Sequence, residues 1–293
     1  MSFLKRRRFV SVIGRKSGLP EGLWLKCHGC KKPVFHKDVQ ENQMVCTLCG
    51  HHYRVKARKR LTWMVDPDTF EETHTEIESA DPLGFVIPEV DFSYPEKIAQ
   101  SKQKSGLNEA AVTGFGSIEG IRTVLGVMDF TFRGGSMGSA LGEKFCLAAE
   151  DAIRKQLPFV MVTASGGARM EEGILSLMQM AKTADAVHAM NEASVPYIVV
   201  LTNPTTGGVY ASFASLGDIT IAEPGAHIGF AGPRLIEGAL KVKLPEGFQS
   251  AEYQFKNGFI DMLVARPELR STLGRLLRYL SPQAREAEEG MLC

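Results

Sequence analysis

Four of the six cysteines stand at a spacing that binds metal. Cys27-His28-Gly29-Cys30 and Cys46-Thr47-Leu48-Cys49 are two C-x2-C pairs with fifteen residues between them, the pattern of a zinc ribbon. A two-residue gap lets one tight turn aim two thiolates at one ion. The intervening stretch has room for two short strands that bring the second pair back to complete a tetrahedron. One Zn(II) per chain is expected, in a structural role, because four protein ligands leave no open position for water. A module of roughly 35 residues has too little core to fold without such a staple. Lys26, Lys31, Lys32 and Arg54 offset the negative charge of a four-thiolate centre, and His28, His51 and His52 read as bystanders. Cys146 reads as core and Cys293 is terminal, so no disulfide framework is indicated.

Two glycine-rich junctions could do acyl chemistry. One is Thr163-Ala164-Ser165-Gly166-Gly167-Ala168-Arg169, after an apolar run; the other is Asn203-Pro204-Thr205-Thr206-Gly207-Gly208-Val209, after YIVVLT. Each puts two glycines where a buried strand ends and a helix begins. Backbone N–H groups at a helix start lack acceptors and point outward. Without a Cβ, glycine lets a substrate oxygen approach them. Amides near Gly166, Gly167, Gly207 and Gly208, one from each loop, would then form an oxyanion hole. Tight turning and close packing are the alternative use of the same glycines. Among the side chains, Glu171 and Glu172 either reach the pocket as acid/base groups or are acids favoured at a helix start. Arg169 pairs with an anion or braces its loop with its fork of donors. Ser212 could act as a nucleophile only with a base in reach, and His227 is the one available in that half. His227 and His188 otherwise read as structural or surface residues.

The elements that must position these groups follow from periodicity. Helices are expected over 57–65, 95–105, 138–156, 173–192, 208–216 and 271–280. In the helix at 173–192, Ile174, Leu177, Met178, Ala181 and Ala184 fall near one face. Strands are expected over 110–118 and 121–132, paired around Gly120, and over 159–164, 195–202 and 218–222. Alternation of strands and helices implies crossover connections and a largely parallel sheet. The prolines at 67, 82 and 88 and many acids make 66–93 a connecting arm with little regular structure. The expected organisation is a basic flexible arm at 1–22, the ribbon at 23–56, connecting arm and helices at 57–109, and an α/β body at 110–293.

Net charge is +1, but residues 1–60 carry 15 Lys and Arg against three Asp and Glu, so the rest of the chain is acidic. A basic ribbon on an acidic body suits an anionic partner or packing of one on the other. Phosphate attraction needs only clustered cations, which keeps non-specific nucleic-acid binding open. No run approaches about 18 apolar residues, and the N-terminus has no apolar h-region, so no membrane partner is expected and the chain is assigned to the cytoplasm.

SGGARMEEG at 165–173, FRGGSMGSALGEKF at 132–145 and TNPTTGGVYASFASLGD at 202–218 resemble the signatures of biotin-dependent acyl-CoA carboxyltransferases. A ribbon ahead of that body resembles the β subunits of multi-subunit acetyl-CoA carboxylases in particular, over about residues 20–285. The fold class so implied is α/β: a crotonase/ClpP-like carboxyltransferase domain preceded by a small four-cysteine zinc ribbon. The activity implied is a half-reaction, moving carboxylate from carboxybiotin on a carrier protein to acetyl-CoA to give malonyl-CoA, the first committed step of fatty acid synthesis. The resemblance also implies partners: a homologous α subunit carrying the second oxyanion hole (two of each subunit), biotin carboxyl carrier protein, and biotin carboxylase in the wider complex. The freed biotin nitrogen can take the α-proton, so no side-chain base is required. Arg133, Lys144, Arg234, Lys241 and Lys243 are candidates, by charge alone, to hold the CoA phosphates. Two readings compete: a stand-alone acyl-CoA hydratase or decarboxylase of the same fold, with Glu171 or Glu172 as acid/base, and a nucleic-acid-binding zinc-ribbon protein.

Overall fold

The structure is a computed structural model and describes residues 23–87 and 92–280. The arm at 1–22, Pro88 and Cys293 lie outside the described residues.

The chain opens with an antiparallel hairpin, β1 (Trp24–Lys26) with β2 (Pro33–Phe35), wrapped around the first cysteine pair. After β2 comes a short helix, α1 (His36–Glu41), where a second strand was expected. Its one buried side chain, Val39, packs with Val34, Cys27 and Cys46 in a small separate core. A six-residue turn with one apolar residue carries no periodicity from which a helix could be read. Helix α2 (Ala57–Met64) then buries Ala57, Leu61 and Met64 against the main body.

The segment 66–93 is not wholly irregular. Strand β3 (Glu71–Thr73) pairs antiparallel with β4 (Ala111–Ile118) at the sheet edge. A three-residue acidic strand has no apolar alternation to reveal it. Helix α3 (Tyr94–Ser105) starts where the Ser93 hydroxyl accepts from the Glu96 N–H, with Pro95 in the first turn, and stops at left-handed Gly106.

The body alternates strongly. After β4 come β5 (Ile121–Met128), α4 (Ser139–Lys155), β6 (Phe159–Ser165), α5 (Gly173–Glu192), β7 (Tyr197–Thr206) and α6 (Gly207–Tyr210). There follow β8 (Ile219–Ala222), β9 (Ile228–Gly229), α7 (Pro233–Leu240), α8 (Ala251–Lys256), β10 (Met262–Leu263) and α9 (Arg266–Leu280). Among the described residues one eight-stranded sheet runs in the order β10-β8-β7-β6-β5-β4-β3, with β9 beside β7. Pairings from β5 through β10 are parallel, and β3–β4 and β4–β5 are antiparallel. All seven residues of β6 are buried, as a parallel strand covered on both faces requires.

Strand β5 stops at Met128 and α9 starts at Arg266, short of and ahead of the expected 132 and 271, and three further departures bear on the site. Strand β7 continues to Thr206, through a cis Asn203–Pro204 peptide, so much of the second glycine junction is strand. The helix expected at 208–216 is only α6 and a separate 3-10 turn at Phe213–Ser215. The Ser212 hydroxyl takes the Gly208 carbonyl, which a continuing helix would give to the Ser212 N–H. Most consequential is α5. Its apolar stripe faces outward: Ile174, Leu177 and Met178 are all more than half exposed. The buried face is Ser176, Gln179, Thr183, Val187 and Met190. Helix α4 approaches so closely that a Cβ on Gly142 would collide with Gln179. Among the described residues, no helix is long and apolar enough to cross a membrane.

Candidate functional site

The four ribbon thiols converge. The Sγ atoms of Cys27, Cys30, Cys46 and Cys49 lie within 4.8 Å of one another, and Cys27 to Cys49 is 3.7 Å. A tetrahedral zinc with Zn–S bonds of about 2.3 Å places its sulfurs about 3.8 Å apart, so the donor set fits Zn(II). His28, His51 and Tyr53 stack nearby through their rings, outside this cluster. Chelation should therefore leave residues 23–56 open to proteolysis while the sheet resists, with four thiols newly titratable. A ribbon that resists protease without metal would refute the staple.

The ribbon is locked to the body by a buried charge cluster that no local spacing reveals. Glu223 at the end of β8 accepts from Arg60 on α2 (2.7 Å) and from the Arg266 Nε (2.8 Å) and a terminal nitrogen (2.7 Å) at the start of α9. Arg266 also donates to the Gln43 and Tyr53 carbonyls of the ribbon, both at 3.0 Å, and its N–H donates to His52 Nε2. Burial alone would raise the Glu223 pKa; Arg60 and Arg266 more than reverse this and hold it at about 2. Burial depresses the His52 pKa, in keeping with a neutral acceptor.

The two glycine junctions meet at the carboxyl ends of β6 and β7. A Cβ on Gly207 would sit 2.9 Å from the Gly167 Cα, and both residues have positive φ, +60° and +119°. Contact this close, in backbone this unusual, requires glycine at both positions. Of the four amides singled out above, three donate inside the protein. Gly166 N–H reaches the Gly134 carbonyl (2.9 Å), Gly167 N–H the Ser165 hydroxyl (3.0 Å), and Gly207 N–H the Phe230 carbonyl (2.9 Å). Gly208 N–H finds no acceptor among the described residues.

Arg169 braces the first junction. It is fully buried and donates to Glu109 (2.5 and 3.1 Å), Ser79 (2.5 Å), and both the hydroxyl (3.1 Å) and carbonyl (2.6 Å) of Ser136. Glu172 is equally committed: it accepts from Tyr94 Oη (2.9 Å) and from the Ser139 N–H and hydroxyl (2.6 Å each), closing the start of α4. Glu171 pairs with Arg133. Neither carboxylate is free for acid/base work, which removes the residues the hydratase reading needs.

The remaining candidates sort by burial. Lys144 is buried, and burial lowers its pKa despite Glu72, Glu109 and Glu76 nearby, so it does not reach a phosphate in solvent. Lys241 and Lys243 are exposed after α7, and the Arg234 side chain lies outside the description. Ser212 donates to a carbonyl and not to a histidine. His227 is half-buried with Nε2 unpartnered, and His188 is exposed beside Glu192. The Cys146 thiol is buried and pushed up to about 11 by that burial, as a core thiol should be.

Residues 54–289 match the carboxyl transferase domain family, and residues 24–49 match the acetyl-CoA carboxylase zinc finger domain. The acetyl-coenzyme A carboxylase carboxyl transferase subunit beta of Carboxydothermus hydrogenoformans is 48% identical over 281 residues, covering 95% of this chain and 98% of that one. The same subunit of Desulforamulus reducens is 52% identical over 286 residues, covering 94% and 97%. Among solved structures, transcarboxylase 12S with methylmalonyl-coenzyme A bound superposes with a TM-score of 0.64 at 24% identity. The match covers 83% of this chain and 42% of that one. A Pseudomonas malonate decarboxylase hetero-dimer gives 0.57 at 22% identity, covering 80% and 92%. These distant likenesses carry the crotonase-type fold, and the near relatives carry more: the chain belongs to the family of acetyl-CoA carboxylase carboxyltransferase β subunits.

Proposed function

We propose that this chain supplies half of a carboxyltransferase active site, which transfers carboxylate from carboxybiotin on a carrier protein to acetyl-CoA. The observation that carries the reading is the meeting of the two glycine junctions with Gly208 N–H left without an acceptor among the described residues. In the reaction the N–CO2 bond of carboxybiotin breaks and a C–C bond forms at the thioester α-carbon. The α-proton goes to the freed biotin nitrogen. Negative charge gathers on an oxygen in the transition state, and a fixed amide aimed there stabilises it. Gly208 is the donor in this scheme. Gly166, Gly167 and Gly207 hold the junctions together and keep Cβ atoms away.

An α subunit completes the site. Met170, Ile174, Leu177 and Met178 form an exposed apolar stripe running from the first junction, and exposed Phe230 flanks the second. Such a patch beside a half-built site supports docking of a partner. The assembly is two of each subunit, in the cytoplasm, fed by the biotin carrier.

The test is malonyl-CoA-dependent carboxylation of biocytin, the reverse reaction, with and without α subunit. Activity is expected only in the mixture. Gly207→Val should fall below about 1% of wild type. Gly208→Ala, whose new Cβ is tight only against the flexible Met180 thioether at 3.3 Å and in ordinary contact with Ala168 and Met137, should fold and still lose about tenfold or more. Full activity from this chain alone would overturn the division of labour.

A further inference from the structure

Four thiolates outweigh the charge of one divalent ion, so a zinc centre of this kind depends on donors aimed at its sulfurs. The first sulfur of each C-x2-C turn receives a pair of backbone N–H groups. Those of Gly29 and Cys30 face Cys27 Sγ, and those of Leu48 and Cys49 face Cys46 Sγ. The two turns are equivalent to this point. Among the described residues, Cys27 alone of the two also faces a side-chain hydroxyl, that of Tyr53.

Tyr53 is fixed there from several sides. Its N–H donates to the Met44 carbonyl, and its own carbonyl accepts from Arg266, both at 3.0 Å. Its ring meets the His51 ring nearly at right angles, with centroids 5.0 Å apart, and lies 6.0 Å from the His28 ring. The side chain packs on the small ribbon core of Cys27, Val34, Val39 and Cys46. The hydroxyl oxygen is buried and completes no hydrogen bond of good geometry with the described residues. A buried hydroxyl left so is costly. A thiol is a poor acceptor, but a metal-bound thiolate is a strong one, and it is the acceptor that this hydroxyl lacks. A phenol, with an ordinary pKa of about 10, keeps its proton at neutral pH and can only donate to a thiolate.

We propose that the Tyr53 hydroxyl donates to the zinc-bound thiolate of Cys27, and so governs how firmly the ribbon keeps its metal and how readily that sulfur reacts. The bond draws charge from the sulfur. It stabilises the thiolate against protonation, which slows loss of the metal, and it lowers the nucleophilicity of the sulfur toward electrophiles. Cys27 is fully buried, so the bond acts in a low dielectric, where it is stronger. The four cysteines complete the tetrahedron, so Tyr53 is a positioning residue and not a ligand. His28 and His51, bystanders as ligands, hold its ring in place. The inference rests on zinc in the ribbon and goes beyond the carboxyltransferase reading, on which it does not depend.

The test uses the full chain. Tyr53→Phe removes the oxygen and keeps the ring. Loaded with cobalt(II), wild type and variant should both show the ligand-field bands of a tetrahedral four-sulfur site. The sulfur-to-metal charge-transfer band of the variant should lie at longer wavelength, because a thiolate relieved of its donor gives up charge more readily. Loaded with zinc, the variant should pass its metal to a chromogenic chelator, and be alkylated at Cys27 by iodoacetamide, about tenfold faster than wild type. Tyr279→Phe is the control: it takes a hydroxyl from an exposed ring on α9 and should change neither measurement. An unchanged cobalt spectrum would overturn the proposal even with faster zinc loss, since packing alone would then account for that loss. Unchanged rates of zinc transfer and alkylation would overturn it as well. If the variant does not fold, wild type loaded with NMR-active cadmium decides. The Tyr53 hydroxyl proton should exchange slowly with solvent and show scalar coupling to the metal through the sulfur, and absence of that coupling sinks the proposal. A reduced wild-type chain that takes up no metal removes the site and the proposal together, and leaves the biocytin assay to stand or fall separately.

Discussion

Arg169→Ala is expected to destabilise the chain by about 3–5 kcal/mol, the cost of leaving a buried partner charge uncompensated. The main partner is Glu109, fully buried, and four further acceptors lose a donor in the same step: the Glu172 carboxylate (3.4 Å), the Ser79 hydroxyl, and the hydroxyl and carbonyl of Ser136. Arg169→Lys should recover little, because one ammonium cannot replace a planar fork reaching in several directions. Glu109→Ala should cost a similar amount. The double variant should cost clearly less than the two single losses combined, since removing both charges leaves neither stranded. Denaturant unfolding of the four proteins checks this, and strict additivity would refute the buried pair. Activity should fall along with stability, because the same guanidinium holds the backbone that carries Gly166 and Gly167.

Glu223→Gln is expected to remove an acid-sensitive component of stability worth roughly 3 kcal/mol. The sign follows from the direction of the shift. Burial pushes the carboxyl up, Arg60 and Arg266 pull it further down, and it settles at about 2 against an ordinary value of 4.5. A depressed folded-state pKa stabilises the native chain above the unfolded value, and that contribution is lost as pH falls from about 4.5 toward 2. Wild type should therefore lose its margin over Glu223→Gln across that window. At pH 7 the variant should already be the weaker protein. Zinc content should stay at one per chain, since all four cysteines lie within the ribbon, while Arg266 loosens its hold on the Gln43 and Tyr53 carbonyls. Parallel unfolding curves at pH 7 and pH 3.5, showing an unchanged difference, would remove the coupling from the ribbon's attachment.

Both clusters mark where sequence reasoning stopped. The cysteine tetrad was legible because ligand spacing is local, and the central strands because a covered parallel sheet writes itself as continuous apolar runs. Arg169 was readable as a brace, but its partners Glu109 and Ser79 lie 60 and 90 positions away, and no spacing rule joins them. Arg60 and Glu223, 163 apart, are the same case. The glycine junctions were found from their position after strands. Which amide remains available was not, because that depends on Gly134 and Phe230, carbonyls set by tertiary packing. Helix α5 misled in an instructive way. Periodicity located its apolar stripe, but Gly142 lets α4 approach Gln179 on the polar face of α5, and the stripe is left outside.

That outward stripe sets a condition on how the protein is made. A copy synthesised without a partner displays Met170 at 83% exposure with Ile174, Leu177 and Met178 beside it. Chaperones and proteases read such surfaces as unfinished, and exposed methionine is open to sulfoxidation. With the α subunit docked there as proposed, that surface is covered, and a surplus of this chain is expected to aggregate or be degraded faster than the paired one.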